Sequence, residues 1–391
     1  MPAILTDFRC VRPAYLSTQA QTFAWLADAH ARAEAAQTKI VGRPFDEGRF
    51  HDHMAHSLAR FGCGQDKIAM RAHELSDCSH TRWSEMQVYR LEEQPKGVGA
   101  LERTRFFTKA VERVFDRLYA ECATPPTDLV HVTCTGYDSP SAAQRMVASK
   151  DWGARTRVFH VYHMGCYAAF PALRAASGFA AAALESVATA PRPVDIVHTE
   201  LCSLHLNPLL HTPEQLVVQT LFADGFIAYG VRNEANWDGR SPGLALLVQD
   251  EQIVPNTLDA MTWSCSDWGM QMSLLRDVPD RIAGALRAFV DRLALRAGLG
   301  EPELREAVYA VHPGGPKILD RAREALRLDD AQLACSRKVL LERGNMSSAT
   351  LPHIWTELVK DPAVASGQAV VSLAFGPGLT ICGAIMRKVT K

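Results

Sequence analysis

The segment His163-Met164-Gly165-Cys166-Tyr167-Ala168-Ala169-Phe170 separates two contrasting stretches of sequence. Arg157 to Tyr162, before it, is apolar and β-prone, whereas Tyr167 to Ala190, after it, is alanine-rich and predicts a helix. Cys166 is therefore expected where a strand ends and a helix begins. The unpaired N–H groups and partial positive charge of a helix N-terminus lower the pKa of a thiol, so Cys166 is a candidate nucleophile. The alternative interpretation is a buried cysteine that only packs at the strand end.

The overall composition excludes several classes of protein. The net charge is −1 and no run of like charges is long, so neither a nucleic-acid binder nor a membrane-surface binder is predicted. The ten cysteines form no CxxC pair, which is typical of free thiols in a reducing compartment. Met1 to Asp7 lacks the basic start and apolar core of a signal peptide, and Arg174 and Glu185 interrupt the longest apolar stretch. We therefore expect a globular cytoplasmic protein.

The order of predicted elements indicates the fold class. Residues 1–125 are predicted to be largely helical, with helices over Thr18 to Lys39, Asp46 to Phe61 and Gly99 to Cys122. From Asp128 strands and helices alternate in two waves. The predicted strands are Asp128 to Gly136, Arg157 to His163, Val194 to Leu201, Phe226 to Val231, Leu244 to Val248, Ala307 to Val311, Ala369 to Phe375 and Thr380 to Arg387. The helices between them are Ser141 to Ser149, Tyr167 to Ala190, Pro213 to Leu221, Arg281 to Ala297, Pro316 to Leu326, Ala334 to Arg343 and Leu351 to Lys360. This pattern predicts a duplicated α/β unit in layers of helix and sheet, with the chemistry where the halves meet.

The histidine-rich stretch His51-Asp52-His53-Met54-Ala55-His56 is a possible metal site because His53 and His56 would share a helix face. No cysteine or carboxylate pair accompanies it at ligand spacing. The sequence therefore predicts a solvated helix face here and no metal.

Three turns in the second half carry polar residues. Val311-His312-Pro313-Gly314-Gly315-Pro316 places a histidine after a strand, and its glycines let a substrate approach the backbone. Gly344-Asn345-Met346-Ser347-Ser348 presents an amide from a turn after a helix. Phe375-Gly376-Pro377-Gly378-Leu379-Thr380 joins two strands through a turn whose N–H groups can face an oxyanion. Each turn alone also has a purely structural interpretation, because Gly, Pro and Asn are common in turns.

Together, Cys166, His312 and Asn345, with the Gly376-Pro377-Gly378 turn after them, resemble the catalytic set of the chalcone synthase-like type III polyketide synthases, which are thiolase-fold condensing enzymes. The strings that match in register are Leu274-Leu275-Arg276-Asp277-Val278-Pro279, His312-Pro313-Gly314-Gly315-Pro316, Gly344-Asn345-Met346-Ser347-Ser348-Ala349 and Phe375-Gly376-Pro377-Gly378-Leu379-Thr380. Looser echoes are Asp138-Ser139-Pro140, Met164-Gly165-Cys166-Tyr167 and Leu221-Phe222-Ala223-Asp224-Gly225. The likeness covers residues 100–391.

The resemblance implies a thiolase-like fold of duplicated αβαβα layers with a mostly helical N-terminal region. Residues 1–250 would form the half that carries Cys166, and residues 251–391 the half that carries His312 and Asn345. Cys166 thiolate, its pKa lowered by the helix N-terminus and by His312, would attack an acyl thioester. His312 and Asn345 would then stabilise the enolate formed when a malonyl thioester loses carbon dioxide, and the Gly376–Gly378 turn would supply an oxyanion N–H. No metal or redox cofactor is needed.

The resemblance also implies a substrate pocket in which several residues differ from the plant enzymes. The expected pocket residues are Cys134, Thr135, Cys202, His205, Phe222, Trp263, Met272 and Ser347. Phe222 corresponds to the gatekeeper phenylalanine of the family; the alternative is an ordinary core aromatic. Trp263 stands where the family has a small residue and would reduce the volume, which favours a short starter or few extensions. His205 and Cys134 could add acid–base chemistry to cyclisation.

The thioester-binding residues are only partly reproduced. Arg60, Lys67 and Arg71 are candidates for the coenzyme A phosphates, and Gly314, Gly315 and Lys317 for the pantetheine arm or a phosphate. This weak basic match leaves an acyl carrier protein open as the alternative donor. The resemblance implies a homodimer, with Ser139 altering the contact between subunits.

Three functions are therefore considered. The first is an iterative condensing enzyme that uses coenzyme A or phosphopantetheine thioesters and makes a small pyrone or aromatic polyketide. The second is a single-condensation enzyme similar to β-ketoacyl synthase III, which joins two acyl chains. The third is a catalytically silent scaffold subunit, against which the presence of Cys166, His312 and Asn345 argues.

Overall fold

The computed structural model describes residues 2–185 and 193–390, and its centre is one nine-stranded sheet with the order β11-β12-β13-β8-β1-β7-β6-β4-β5. Two small antiparallel sheets of two strands each, β2-β3 and β9-β10, lie outside it. The strands are β1 (Ala3–Val11), β2 (Tyr15–Thr18), β3 (Met70–His73), β4 (Asp128–Thr133), β5 (Arg157–Tyr162), β6 (Val194–Glu200), β7 (Gly225–Asn233), β8 (Gly243–Ile253), β9 (Met261–Cys265), β10 (Met270–Leu274), β11 (Val308–Val311), β12 (Ala369–Gly376) and β13 (Thr380–Val389).

The helices lie on both faces of the sheet halves. In chain order they are α1 (Gln19–Ile40), α2 (Glu47–Phe61), α3 (Ala100–Tyr119), α4 (Ala142–Ser149), α5 (Ala169–Glu185), α6 (Pro213–Leu221), α7 (Val278–Ala297), α8 (Glu301–Glu306), α9 (Pro316–Leu326), α10 (Ala334–Arg343) and α11 (Thr350–Lys360). Several begin or end at recognisable signals: Thr18 caps α1, Ser141 caps α4, and Gly298 in a left-handed conformation ends α7.

The layers follow from which residues are buried together. α5 and α11 form the central layer, where Phe170 and Trp355 meet at 6.2 Å between ring centroids. One outer layer contains α1 to α4 and packs on the β4–β7 half, and the other contains α7 and α9 and packs on the β11–β13 half. Strands covered on both faces are buried along their whole length, as β4, β6 and β12 are in this protein. The described layers match the predicted αβαβα arrangement.

Most predicted elements are present, and α6, α9 and α10 have the predicted bounds. The sequence analysis missed β1, because Asp7 at φ 57° and a register shift between Thr6 and Arg9 interrupt its alternation. It also missed β9 and β10, whose side chains are half-exposed or exposed apart from Met270. The predicted helix from Tyr167 to Ala190 corresponds to α5 (Ala169–Glu185), and the part of this prediction that covers residues 186–190 lies outside the described residues. The predicted boundary at residue 250 falls inside β8, and this division stays a prediction.

Within the described residues, every helix is too short or too polar to cross a membrane.

Candidate active site

Cys166 lies in a single 3-10 turn, Gly165–Tyr167, between β5 and α5. The turn needs unusual backbone angles: φ is 62° at His163 and 75° at Gly165. A β-carbon at residue 165 would lie only 2.8 Å from the ring of Pro377, so glycine lets the two segments touch. The Cys166 thiol is 7% exposed, and its Sγ lies 3.9 Å from Ser347 Oγ. The junction of strand and helix predicted from the sequence is confirmed.

The Gly376-Pro377-Gly378 turn packs directly against the Cys166 turn. A β-carbon at Gly376 would lie 2.3 Å from the Tyr167 ring, so this position also requires glycine. Gly378 has φ 79°, and its carbonyl accepts a hydrogen bond from Thr257 Oγ1 at 3.1 Å. The predicted turn therefore lies beside the thiol, but its N–H groups are not thereby assigned to an oxyanion.

His312 follows β11 and continues the pairing with β12, because its N–H donates to Leu373 O at 2.8 Å. The imidazole is fully buried, and neither ring nitrogen has a hydrogen-bond partner in the described part of the chain. Buried polar atoms are normally satisfied, so an orphaned imidazole is a mark of a functional site. Burial lowers the pKa of His312 to about 3, which makes the ring neutral.

Asn345 is held by its backbone against the segment after α6. Its N–H donates to Leu221 O at 3.0 Å, and its carbonyl accepts from Ala223 N at 2.8 Å. The side-chain Oδ1 accepts from Ser347 N at 2.8 Å and Thr350 Oγ1 at 3.3 Å, which fixes the amide orientation. Nδ2 remains a buried donor with no partner among the described residues.

The charge state of Cys166 differs from the sequence-based expectation. Burial raises the pKa of the thiol to about 12, and the nearby Ser347 hydroxyl acts in the opposite direction. The expectation of a lowered pKa is wrong for the enzyme at rest because α5 begins only at Ala169 and the thiol is desolvated. The resting site therefore combines a thiol with a neutral His312.

One cavity connects Cys166 with the predicted pocket. The structure brings all of the predicted pocket residues to its wall, namely Cys134, Thr135, Cys202, His205, Phe222, Trp263, Met272 and Ser347. His312 and Asn345 are fully buried and lie outside this lining. Sequence reasoning missed much of the rest of the wall, which consists of Leu206, Asn207, Leu210, Gln215, Val218, Gln219, Met261, Trp268 and Gln271. Their segments carry no glycine-rich or nucleophilic signal that would have singled them out.

Trp263 is fixed in the cavity wall by a hydrogen bond and by packing. It lies opposite Met272 in the β9-β10 pair, and its Nε1 donates to Cys134 O at 2.7 Å. The His205 ring meets the indole edge-to-face with centroids 5.6 Å apart. The indole is thus an ordered part of the wall.

His205 is not placed for acid–base chemistry, which corrects that suggestion. Its Nδ1 accepts from Met270 N at 3.0 Å, so the neutral ring carries its proton on Nε2 and donates to Thr135 O at 2.8 Å. Burial lowers the pKa of His205 to about 3, so it is neutral at physiological pH. Both nitrogens serve to hold the wall.

Glu200 is a buried carboxyl to which the sequence analysis assigned no role. Its Oε2 accepts from Cys134 N at 3.1 Å and Thr135 Oγ1 at 2.9 Å, and its Oε1 accepts from Ser348 Oγ. Burial raises the pKa of Glu200, while the hydrogen bonds from Ser348, Cys134 and Thr135 act in the opposite direction. The carboxyl joins the segment after β4 to the Asn345 turn. Glu200 lies at the end of β6, as Thr135 lies just after β4. A polar residue at the end of a strand was therefore the sequence signal that could have identified it.

The candidates for binding the thioester arm lie in different environments. Lys67 is exposed and pairs with Asp66 at 3.2 Å, and Lys317 is exposed in the first turn of α9. Arg60 lies in the last turn of α2, and Gly314 and Gly315 precede α9. None of the five lines the cavity, so their proposed contacts stay predictions.

Arg71 is the exception, and its assignment to coenzyme A is wrong. The side chain is 2% exposed and its Nη1 donates to Gln219 O and Phe222 O, so the guanidinium is unavailable to a phosphate at the surface.

The histidine-rich stretch forms part of α2, where His51 and His53 are exposed or half-exposed and His56 Nδ1 contacts its own helix at Asp52 O. Among residues 2–185 and 193–390, no cluster of three His, Cys, Asp or Glu side chains could hold a metal ion.

Comparison with known proteins agrees with this geometry. Residues 245–390 match the family described as chalcone and stilbene synthases, C-terminal domain. Two solved structures share the fold: the C-terminal type III polyketide synthase domain of Steely1 from Dictyostelium, with TM-score 0.80, 21% identity and 100% of both chains covered, and PKS-I from the brown alga Ectocarpus siliculosus, with TM-score 0.81, 20% identity and 99% and 98% covered. The predicted thiolase-like α/β fold is confirmed.

Sequence relatives extend beyond the C-terminal part. The chain is 31% identical to type III polyketide synthase C of Arabidopsis thaliana over 67% of each protein. It is 29% identical to 1,3,6,8-tetrahydroxynaphthalene synthase of Streptomyces griseus, over 69% of this chain and 70% of that one. With a buried cysteine, an orphaned histidine and an asparagine amide in the expected turns, the chain belongs to the type III polyketide synthases.

Proposed function

We propose that this protein is a decarboxylating condensing transferase that loads an acyl thioester on Cys166 and extends it with malonyl units. The observations that support it best are the Cys166 thiol at the cavity wall, its contact with Ser347 in the Asn345 turn, and the buried Asn345 Nδ2 and His312 ring nitrogens, which have no partner among the described residues. Donors that have no partner at rest are free to bind a substrate oxygen.

Loading begins with the thiol. Neutral His312 accepts the proton of Cys166, and the thiolate attacks the carbonyl carbon of the acyl thioester. The carbon–sulfur bond of the donor breaks as the new one to Cys166 forms. The proton on His312 then neutralises the departing thiolate, which leaves the imidazole neutral again.

Extension requires two neutral hydrogen-bond donors. His312 N–H and Asn345 Nδ2–H would bind the thioester carbonyl of a malonyl unit, so that carbon dioxide leaves and the electron pair of the broken carbon–carbon bond forms the enolate. The enolate carbon attacks the acyl–Cys166 carbonyl, and the thiolate of Cys166 is released. The depressed pKa of His312 supports this role because a neutral imidazole keeps one N–H and regains it after loading.

The cavity supports a small product. Trp263 and Met272 line the cavity as cross-strand partners, and the indole, held by its hydrogen bond to Cys134 O, occupies space beside Cys134. We propose a short starter, few extensions and closure to a pyrone or aromatic ring. Coenzyme A or phosphopantetheine thioesters are the proposed substrates, with no bound cofactor, and the active form is proposed to be a cytoplasmic homodimer.

The alternatives receive less support. No described feature and no relative favours the single-condensation enzyme similar to β-ketoacyl synthase III. The silent scaffold is disfavoured because Cys166 lines the cavity and His312 and Asn345 are both present with buried polar atoms that have no partner among the described residues.

The test is mass spectrometry of the intact protein and of its products. The enzyme is incubated with malonyl coenzyme A and a panel of acyl coenzyme A starters. We expect an acyl adduct on Cys166 and products that contain more than one C2 increment. A single increment with every starter would support the β-ketoacyl synthase III-like reaction, and no adduct on Cys166 would contradict the proposed function altogether.

A further inference from the structure

Arg71 is a buried cation whose partners are backbone carbonyls. It lies in β3, and its Nη1 donates to Gln219 O at 2.9 Å and to Phe222 O at 2.5 Å. No carboxylate lies within ion-pair distance of it in the described residues, and Asp224 is an electrostatic neighbour. Burial lowers the pKa of Arg71 to about 10, so the guanidinium remains charged at neutral pH. Burying an arginine without an ion pair costs free energy, so the backbone groups that Arg71 binds are candidates for a functional role.

The two carbonyls belong to the end of α6. The helix spans Pro213–Leu221, Gln219 lies in its last turn, and Phe222 is the residue after it. The last carbonyls of a helix have no partner within the helix and carry partial negative charge, which a cation satisfies well. Arg71 therefore caps this helix end and fixes the path of the chain as it leaves α6.

The same stretch of chain holds Asn345. Leu221 O accepts from Asn345 N, and Ala223 N donates to Asn345 O, so Phe222 and Asn345 form a parallel bridge. The stem of Arg71 also contacts the other side of the bridge, because a β-carbon at Gly344 would lie 3.2 Å from Arg71 Cγ. One side chain thus binds the segment that carries Phe222 and packs beside Gly344, the residue before Asn345.

We infer that Arg71 is a positioning residue for the decarboxylation step: its hydrogen bonds to the end of α6 fix the bridge that aims the Asn345 amide at the substrate carbonyl. The inference rests on the proposed function. The backbone of Cys166 is held elsewhere, between β5 and α5, and its side chain meets the Asn345 turn only at Ser347 Oγ, 3.9 Å away among the described contacts, so loading of the thiol should depend much less on this bridge. Arg71 should therefore affect one half-reaction and spare the other.

Arg71→Lys is the informative variant because it keeps the positive charge and removes the planar guanidinium group. A lysine ammonium is a compact point donor on a flexible stem, and it does not hold two carbonyls in a fixed relation as a guanidinium does. Decarboxylation is followed as carbon dioxide release from malonyl coenzyme A without a starter. Loading is followed as the rate of acyl–Cys166 formation by quenched intact mass spectrometry.

We expect Arg71→Lys to slow decarboxylation by roughly tenfold to a hundredfold, the usual effect of misplacing a catalytic group by about 1 Å. Loading should change by less than about twofold. In an Asn345→Ala background, Arg71→Lys should have no further effect on decarboxylation, because the group that it positions is gone. Multiplicative losses in the double variant, or equal losses in both half-reactions, would overturn the inference.

Arg103→Lys is the matched control. Arg103 is also buried and bound to backbone carbonyls, those of Lys96, Val98 and Leu204, but away from Asn345. Arg103→Lys should lower the thermal stability about as much as Arg71→Lys does, and it should not slow decarboxylation more than loading. If Arg71→Lys does not fold, Gly344→Ala perturbs the same contact from the other side and must show the same selectivity. A wild-type enzyme that releases no carbon dioxide would contradict the proposed function, whereas an active wild type with an unselective Arg71→Lys contradicts only this inference.

Discussion

Two walls meet at the cavity, and they treat their polar groups differently. The first wall is built by the turns after β5, β11 and α10, and of these turns Cys166 and Ser347 line the cavity. His312 and Asn345 lie outside that lining, and both nitrogens of His312 and Nδ2 of Asn345 have no partner among the described residues. In the wall built by the β9-β10 pair and the segment after β6, Trp263 Nε1 and both nitrogens of His205 are hydrogen-bonded. Unpaired buried donors cost free energy, about 1–3 kcal/mol each, so the first wall forgoes stability where substrate must bind. The first wall carries the reacting groups and is called the reactive wall below. The second determines the form of the cavity and is called the shape wall.

The largest expected effect comes from removing the nucleophile of the reactive wall. Cys166→Ala should abolish acyl-adduct formation and reduce product formation by at least about 10³-fold, because the covalent route is lost. Product yield by chromatography and intact mass measure both. Cys10→Ser, an exposed thiol, is the control and should retain activity. Adduct formation in Cys166→Ala would show that another group loads.

A matched pair of histidine variants separates the two walls. His312→Ala should lower carbon dioxide release from malonyl coenzyme A by about 10²–10³-fold, since a preorganised donor is lost. His205→Ala breaks hydrogen bonds to Thr135 O and Met270 N, so it should lower the free energy of unfolding by about 1–3 kcal/mol more than His312→Ala does. Denaturant unfolding and decarboxylation assays test both. The comparison fails if both variants lose activity and stability in the same proportion.

The pH dependence of Cys166 alkylation tests the resting state of the reactive wall. Because burial raises the thiol pKa to about 12, above the ordinary value of about 8.5, the thiol form predominates from pH 6 to 10. The rate of iodoacetamide labelling at Cys166 should therefore keep rising over that range, by up to tenfold per pH unit, without a plateau. The folded state retains a proton that the unfolded state loses above about pH 8.5, so this group lowers stability as the pH rises further. A plateau near pH 7 would indicate a thiolate paired with a charged His312.

The smallest expected effect concerns the shape wall. Trp263→Ala should lengthen the product by one or more C2 units, because the indole occupies the cavity next to Cys134. Trp263→Phe retains apolar bulk but loses the hydrogen bond, so it should broaden the product distribution only slightly. Product masses from malonyl coenzyme A with one fixed starter distinguish the two. An unchanged product length in Trp263→Ala would mean that Trp263 does not limit the chain.

The difference between the walls also explains what the sequence could predict. The turns that contain Cys166, His312 and Asn345 are rich in glycine and proline. Such turns can be recognised in a sequence because their backbone angles require those residues: φ is 75° at Gly165 and 72° at Gly344. The shape wall contains no such marks. Leu210, Val218 and Met261 are ordinary apolar residues, and only the packing of α6 against the β9-β10 pair brings them to the cavity.

Charge states were the least predictable feature. The sequence places Cys166 near a helix N-terminus, which indicates a lowered pKa, but it does not report how deeply the thiol is buried. In the same way, Arg71 resembled a surface phosphate ligand because its burial depends on residues 219–222, far away in the sequence. Both errors concern desolvation, which arises from tertiary contacts.

Strand β1 has a consequence for how this protein is made. Residues 3–11 pair with β7 from Phe226 to Asn233 and with β8 at Leu244 and Ala245, and they thereby connect the two halves of the sheet. On the ribosome, this segment emerges more than two hundred residues before the strands that receive it. Such distant pairing slows folding and leaves an apolar strand exposed during synthesis, so we expect newly made chains to depend on chaperones until β8 has been translated.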